Sequence, residues 1–316
     1  MYELKRILVP TDFSAYAAGA LEHAVLLGAR YEAEITLMHV DEFIVSPLGA
    51  AGLKDEFLLT YQRKKEEFLE RELSSLATAF ADRKVRFRKK VLSGRAYKVI
   101  VEEAEKEQYD LIVIATRGLT ALSTYLIGNT TERVVRLSRQ PVLSVQSPPQ
   151  NGGKLNSILC PTDLSPAANF ALSYAVSIAR RNEATLYIQY ISELEKPEPE
   201  AEIRRRMPNL EEFHPMARQV HVEYIFDRDV EPSNAIIRFA EDREISLIVM
   251  ATHGRKGLRR VYIGNNTAEV VRQSSRPVLT VTHPFHKAVF TGAVTQPSHA
   301  PLMDAHDVEI NNHRKS

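Results

Sequence analysis

Two aspartates occupy the same place in two copies of one short motif. Pro10, Thr11 and Asp12 follow the apolar run Ile7 to Val9, and Pro161, Thr162 and Asp163 follow Ile158 to Cys160. If the runs are buried strands, each carboxylate stands beyond a strand's carboxyl end, where open α/β sheets bind ligands. There it can accept a hydrogen bond from an adenine amino group or a ribose hydroxyl, or it can organise the turn before a helix. The sequence leaves both readings open, because two turn formers recur as readily as two ligand contacts. Further along, Ala115, Arg117 and Gly118 precede Gly128, Asn129 and Thr130, while Ala251, His253, Gly254 and Arg255 precede Gly264, Asn265 and Asn266. Nine residues separate Gly118 from Gly128 and Gly254 from Gly264. A helix beginning after such a loop offers unpaired N–H groups and the positive end of its dipole to an anion. Asn129 followed by Glu132, and Asn266 followed by Glu269, equally fit a box in which side chains cap the helix without any ligand.

The elements that must position these residues are set by an internal repeat. Ile7-Leu-Val-Pro-Thr-Asp-Phe-Ser14 returns as Ile158-Leu-Cys-Pro-Thr-Asp-Leu-Ser165 at an offset of 151 residues, and Ala17, Ala20, Leu21 and Ala24 match Ala168, Ala171, Leu172 and Ala175. Ala115 to Val145 matches Ala251 to Val281 at an offset of 136, with 16 of 31 positions identical, against roughly two expected from average composition. The first copy therefore carries about fifteen extra residues between its second and third strands, and a loop and helix over Phe57 to Phe80 absorb them. Ser14 and Ser165 suit N-caps, and Pro166 suits the first helical position. Second strands are expected at Glu34 to Val40 and Thr185 to Ile191, third strands near Val85 to Val91 and Val222 to Phe226. The wholly apolar fourth strands, Leu111 to Ala115 and Leu247 to Ala251, are expected to be buried on both faces. Helices from Glu132 and Glu269 lead into last strands opened by Pro141 and Pro277. Strands alternating with helices imply βαβ units, so the expected fold class is α/β: two tandem, doubly wound domains, each a mostly parallel five-stranded sheet flanked by helices. The expected organisation is a first domain over 1–146, a linker of turn formers over 147–153, a second domain over 154–282 and a polar, poorly ordered tail over 283–316.

With both motifs in view, the chain resembles the universal stress protein family, over residues 4 to about 282. The family's ATP-binding members have Gly, two residues, Gly, nine residues, Gly, then Ser or Thr, with backbone amides and the hydroxyl on the phosphates. Both copies keep the spacing, but Ala115 and Ala251 replace the first glycine, and Asn129 and Asn265 replace the hydroxyl residue. Alanine obstructs only where positive φ or backbone contact is needed, and asparagine keeps an amide donor. Thr130 offers a hydroxyl one residue late, where the second copy has Asn266. The resemblance implies an adenine nucleotide, ATP or another with or without Mg, bound by the motif residues above together with Val40 and Ile191 at the ends of the second strands. It favours the second copy, whose Arg255, Lys256, Arg259 and Arg260 could neutralise phosphate charge. It also implies that the last strands, Val142 to Val145 and Val278 to Val281, pair as an intramolecular pseudo-dimer, with homodimerisation open. The fold implied is that of the adenine nucleotide α-hydrolase-like proteins.

Composition narrows the function classes. Lys+Arg 41 against Asp+Glu 40 favours no polyanionic partner, neither nucleic acid nor a membrane surface. No window approaches the ~20 apolar residues of a membrane helix. One cysteine, Cys160, aligned with Val9 inside a strand, reads as a small buried side chain and agrees with a cytoplasmic location. The tail histidines His283, His286, His299, His306 and His313 are irregularly spaced and are read as part of a solvated tail, not as a metal site. No phosphate loop with Gly-Lys-Ser/Thr, no nucleophile with a base and no carboxylate cluster for Mg²⁺ stands out, so no catalytic residue is expected. A binding module is expected, with a slow ATPase or a nucleotide-free scaffold acting through a protein partner as alternatives.

Overall fold

The computed structural model describes residues 4–42, 55–118, 128–192, 198–213, 217–252 and 264–283. They belong to one compact unit running from Met1 to His283. The tail beyond His283 lies outside the described residues.

The first repeat runs β1 (Arg6–Pro10), α1 (Ala15–Tyr31), β2 (Glu34–Asp41), α2 (Asp55–Thr78), β3 (Phe87–Ser93), α3 (Ala96–Lys106), β4 (Leu111–Ala115), α4 (Asn129–Leu137) and β5 (Val142–Val145). The second runs β6 (Ser157–Thr162), α5 (Pro166–Asn182), β7 (Thr185–Ser192), α6 (Glu200–Arg206), α7 (Leu210–Phe213), β8 (Val222–Arg228), α8 (Pro232–Asp242), β9 (Leu247–Ala251), α9 (Asn265–Gln273) and β10 (Val278–Val281). The 24-residue α2 is matched by the short α6 and α7 and a 3-10 turn at Ala217–Gln219, so this connection accommodates the difference in length. Only part of the apolar spacing in α2 faces the core. Leu69 and Leu73 are buried, whereas Tyr61 and Phe68 stand in solvent.

All ten strands form one sheet in the order β3-β2-β1-β4-β5-β10-β9-β6-β7-β8. Pairing is parallel within each repeat and antiparallel between β5 and β10, with Leu143 opposite Leu279. Side chains alternate across a strand, and the two faces have different fates. On the α1 and α5 face one buried cluster crosses both repeats, joining Val9, Val113 and Leu143 to Cys160, Val249 and Leu279. On the opposite face the core divides, one part under α3 and α4 around Ile112 and the other under α8 and α9 around Ile248.

The caps follow the sequence at α1 and α5. Ser14 Oγ accepts from Ala17 N–H at 3.1 Å and Ser165 Oγ from Ala168 N–H at 3.2 Å, with Pro166 at the start of its helix. The alternative boxes at α4 and α9 are not formed. Gly128 and Gly264 are the N-caps, without a side-chain cap bond, so Asn129 and Asn265 are already the first helical residues and Glu132 and Glu269 lie deeper. Both helices therefore begin several residues before Glu132 and Glu269.

Candidate functional site

β1 pairs with β2 on one side and β4 on the other, and β6 likewise pairs with β7 and β9. Connections leave in opposite directions there, which opens a crevice at the strands' carboxyl ends. Pro10 ends β1, and Pro161 and Thr162 end β6. Beyond them the turns are built identically. Thr11 Oγ1 accepts from Phe13 N–H and Thr162 Oγ1 from Leu164 N–H, each at 3.0 Å. Asp12 Oδ1 accepts from Ser14 N–H and Asp163 Oδ1 from Ser165 N–H, also at 3.0 Å. Phe13 and Leu164, at φ 62 and 63, adopt the left-handed conformation that bulky residues rarely take. Such an outlier persists only where its surroundings over-determine it, here the two side-chain bonds on either side. The aspartate thus does organise the turn, through one of its two oxygens.

In the first repeat that other oxygen lies against the loop following β4. A β-carbon added at Gly118 would land on Asp12 Oδ2. Gly118 is thus the residue that lets the carboxylate reach the loop backbone, and the structure brings together the two ends of the motif. Gly118→Ala is expected to displace the carboxylate and cost about 1–3 kcal/mol, read from urea unfolding; unchanged stability would mean that the close approach is absent in solution.

Behind the loop, Thr116 accepts from Gly128 N–H through its carbonyl at 2.8 Å, and Thr252 does the same for Gly264 N–H at 2.8 Å. These bonds seat the N-terminus of α4 or α9 beside the end of the fourth strand. A pair of residues the motif reading passed over completes the junction. Thr131 Oγ1 donates to the carbonyl of Ala115 at 2.7 Å, and Thr267 Oγ1 to that of Ala251 at 2.9 Å. Their identity at the 136-residue offset was the available signal. Asn129, Asn265 and Asn266 are exposed and Thr130 is half-buried. Thr116 Oγ1 is buried without a hydrogen-bond partner.

Arg117 turns toward β5. Its Nη2 donates to Gln146 Oε1 at 3.4 Å and its guanidinium lies 5.9 Å from the centre of the Tyr16 ring. His39 sits at the crevice floor, with Nδ1 2.9 Å from the Thr11 carbonyl and its ring 4.7 Å from that of Phe13. Val40 and Ile191 are half-buried on the opposite face, packed on the Ile112 and Ile248 clusters. Among the described residues no group of His, Cys, Asp and Glu could hold a metal. His253, Gly254 and Arg255, with Lys256, Arg259 and Arg260, lie outside the described residues. Cys160 is fully buried, and burial alone pushes its thiol up to about 12.

Two carboxylates stand at topological switch points, one against a loop glycine, and the helices after the fourth strands, α4 and α9, start without a side-chain cap.

Paired switch-point crevices within one fused sheet define a tandem, doubly wound α/β protein. The chain belongs to the universal stress protein family, whose sequence profile matches residues 3–146 and again 154–282. It is similar to a universal stress protein of Methanocaldococcus jannaschii, 33% identical over 146 residues, covering 46% of this chain and 83% of that protein. A universal stress protein of Synechocystis is 25% identical over 294 residues, 88% of this chain and 99% of the relative, so the tandem arrangement is shared. Among solved structures, a universal stress protein from Archaeoglobus fulgidus superposes with a TM-score of 0.69 at 22% identity, covering 89% of this chain and 97% of that one. The fold is of the adenine nucleotide α-hydrolase-like kind. No helix of the described residues is long and apolar enough to cross a membrane.

Proposed function

We propose that this tandem universal stress protein is a cytoplasmic binding module that holds an adenine nucleotide, ATP or a relative with or without Mg, in at least one of its two crevices, and that it is not a catalyst. The observation that carries the reading is the pair of switch-point carboxylates, each committing one oxygen to its turn, with Gly118 against the other oxygen in the first repeat. The adenosine falls to Asp12 or Asp163, the phosphates to the loop and helix start at Gly118 and Gly128 or at Gly254 and Gly264. The β5–β10 pairing supports an intramolecular pseudo-dimer, and two such chains form the homodimer of this proposal.

Native mass spectrometry of protein purified without added nucleotide, followed by titration with ATP and Mg²⁺, tests it. A mass increment of ATP, ADP or AMP is expected. Its absence at millimolar ATP would reject the reading, and rapid turnover would make the protein an ATPase. Asp163→Ala is expected to weaken binding by about tenfold or more, the worth of a hydrogen bond to a charged group, and more than Asp12→Ala does. Equal losses would refute the preference for the second repeat.

One observation favours a second reading, a scaffold working through a protein partner. Tyr61 and Phe68 stand exposed on α2, in the segment where the repeats differ, and exposed aromatics are enriched at interfaces. Tyr61→Ser with Phe68→Ser would abolish partner capture under that reading and leave nucleotide binding intact.

A further inference from the structure

Away from both crevices, the seam between the repeats is not filled equally on its two sides. The strand order is palindromic about the antiparallel β5–β10 pair, so wall residues come in pairs across a local two-fold. Leu4 and Leu155, Leu27 and Ile178, and Leu143 and Leu279 line one apolar cavity. Its free space is about 100 Å³ and opens on one side. That is the order of the ~150 Å³ of leucine-lined space that stays dry and holds a benzene ring.

Across the two-fold, the matching place holds a ring of the chain's own. At the 151-residue offset Tyr174 of α5 corresponds to His23 of α1, and Phe170 to Gly19. The Tyr174 and Phe170 rings lie 5.5 Å apart, with His283 5.2 Å from Phe170. Burial raises the Tyr174 pKa and the charge of Asp110 raises it further, so this phenol stands near the start of β4, across the seam from its own repeat. Ser246 takes the place of Asp110 in the other repeat. Its Oγ accepts from Asn156 N–H at 3.3 Å as Asp110 Oδ2 accepts from Lys5 N–H at 2.8 Å, and Ser246 lines the cavity. The first repeat brings no phenol to it.

Gly19 accounts for the difference. A β-carbon there would come within 3.1 Å of Pro148 N, so the glycine lets the connecting segment cross α1, and the Ser147 carbonyl holds His23 Nε2 at 3.0 Å. A carbonyl only accepts, so Nε2 carries the proton. Burial lowers the pKa of His23, against the raising effect of that bond, and the ring is neutral at pH 7 with Nδ1 a bare acceptor. His23 lines the cavity. Its Nδ1 has no partner among the described residues and is not one of the polar atoms closed off from solvent. The neighbouring guanidiniums are already engaged, Arg30 by Asn182 Oδ1 at 2.6 Å and Arg276 by Gln150 Oε1 at 3.1 Å. Apolar walls with one reachable acceptor suit an uncharged guest that carries a single donor.

We propose that this seam cavity binds a small neutral phenol, its ring against Leu27, Leu143 and Leu279 and its hydroxyl donating to His23 Nδ1. The guest supplies to the first repeat the ring that Tyr174 supplies to the second. The proposal does not depend on nucleotide binding.

Phenol is the probe, with benzene as its hydroxyl-free counterpart, titrated into the full-length protein at pH 7 by saturation-transfer NMR and by the shift in melting temperature. Phenol is expected to bind once per chain, about three- to tenfold more tightly than benzene, the worth of one hydrogen bond. His23→Tyr puts the second repeat's own ring into the cavity and is expected to abolish binding of both. Leu27→Phe narrows the cavity from another side chain and leaves the bond from His23 to Ser147 in place, and it is expected to do the same. Circular dichroism checks that both variants keep the fold. No phenol binding at millimolar concentration, equal affinity for benzene, or binding that survives either substitution would each overturn the site.

Discussion

Leu279→Asp is expected to destabilise the whole sheet by about 3–5 kcal/mol, the cost of a buried charge with nothing to compensate it. Leu279 is 4% exposed and faces Leu143, 5% exposed, at the β5–β10 junction. Both belong to the cluster that crosses the two repeats, so the loss is not confined to one of them. Equilibrium urea unfolding should show the midpoint falling for signals from both repeats together, and limited proteolysis should open the segment around residues 147–153. Val230→Asp, at a site 70% exposed, is the control and should stay within about 0.5 kcal/mol of the parent. A cost below about 1 kcal/mol for Leu279→Asp would mean that the repeats do not share this core.

Cys160→Val is expected to flatten the alkaline loss of stability. Burial pushes the thiol up to about 12 in the folded chain, from an ordinary value of 9.0. The folded state therefore favours the protonated form. That contribution is complete below pH 9 and is lost as the pH rises toward 12, because the unfolded thiol ionises first. The slope over the window is about 1.4 kcal/mol per pH unit. Urea midpoints for parent and variant, compared at pH 8 and pH 10, isolate the thiol from the tyrosines that titrate nearby. The first repeat carries Val9 at the equivalent position, so the substitution is sterically familiar to the fold. Parallel pH profiles for the two proteins would show the thiol to be ordinary.

What could be read from the chain was whatever local pattern controls. The fourth strands came out with the expected bounds, Leu111–Ala115 and Leu247–Ala251, because a strand buried on both faces leaves an unbroken apolar run. The starts of α4 and α9 did not. Their first turns, from Asn129 and Asn265, are polar even where they are buried, at Thr131 and Thr267, and carry no apolar period, while the glycines before them cap without a side chain. At the site, Asp12 and Gly118 were both legible as motif members. Their contact was not, since it depends on β1 and β4 being neighbours in the sheet. The left-handed Phe13 and Leu164 left no trace either, because the turn that imposes them is made by the threonine and aspartate before them. Least legible of all is the apolar cavity at the seam between the repeats. Its walls come from a helix, a connection and two last strands that are far apart in sequence and meet only when the sheet closes.

That closure has a consequence for synthesis on the ribosome. β5 is complete at Val145, yet its antiparallel neighbour β10 ends at Val281, the last strand of the second repeat to be made. At about 5–20 residues per second, a growing chain must hold the finished first repeat for roughly seven to twenty-seven seconds with one side of β5 unmatched. Throughout that interval the nascent first repeat is open to a strand from another chain, and a swapped product joining two ribosome-bound copies competes with correct closure.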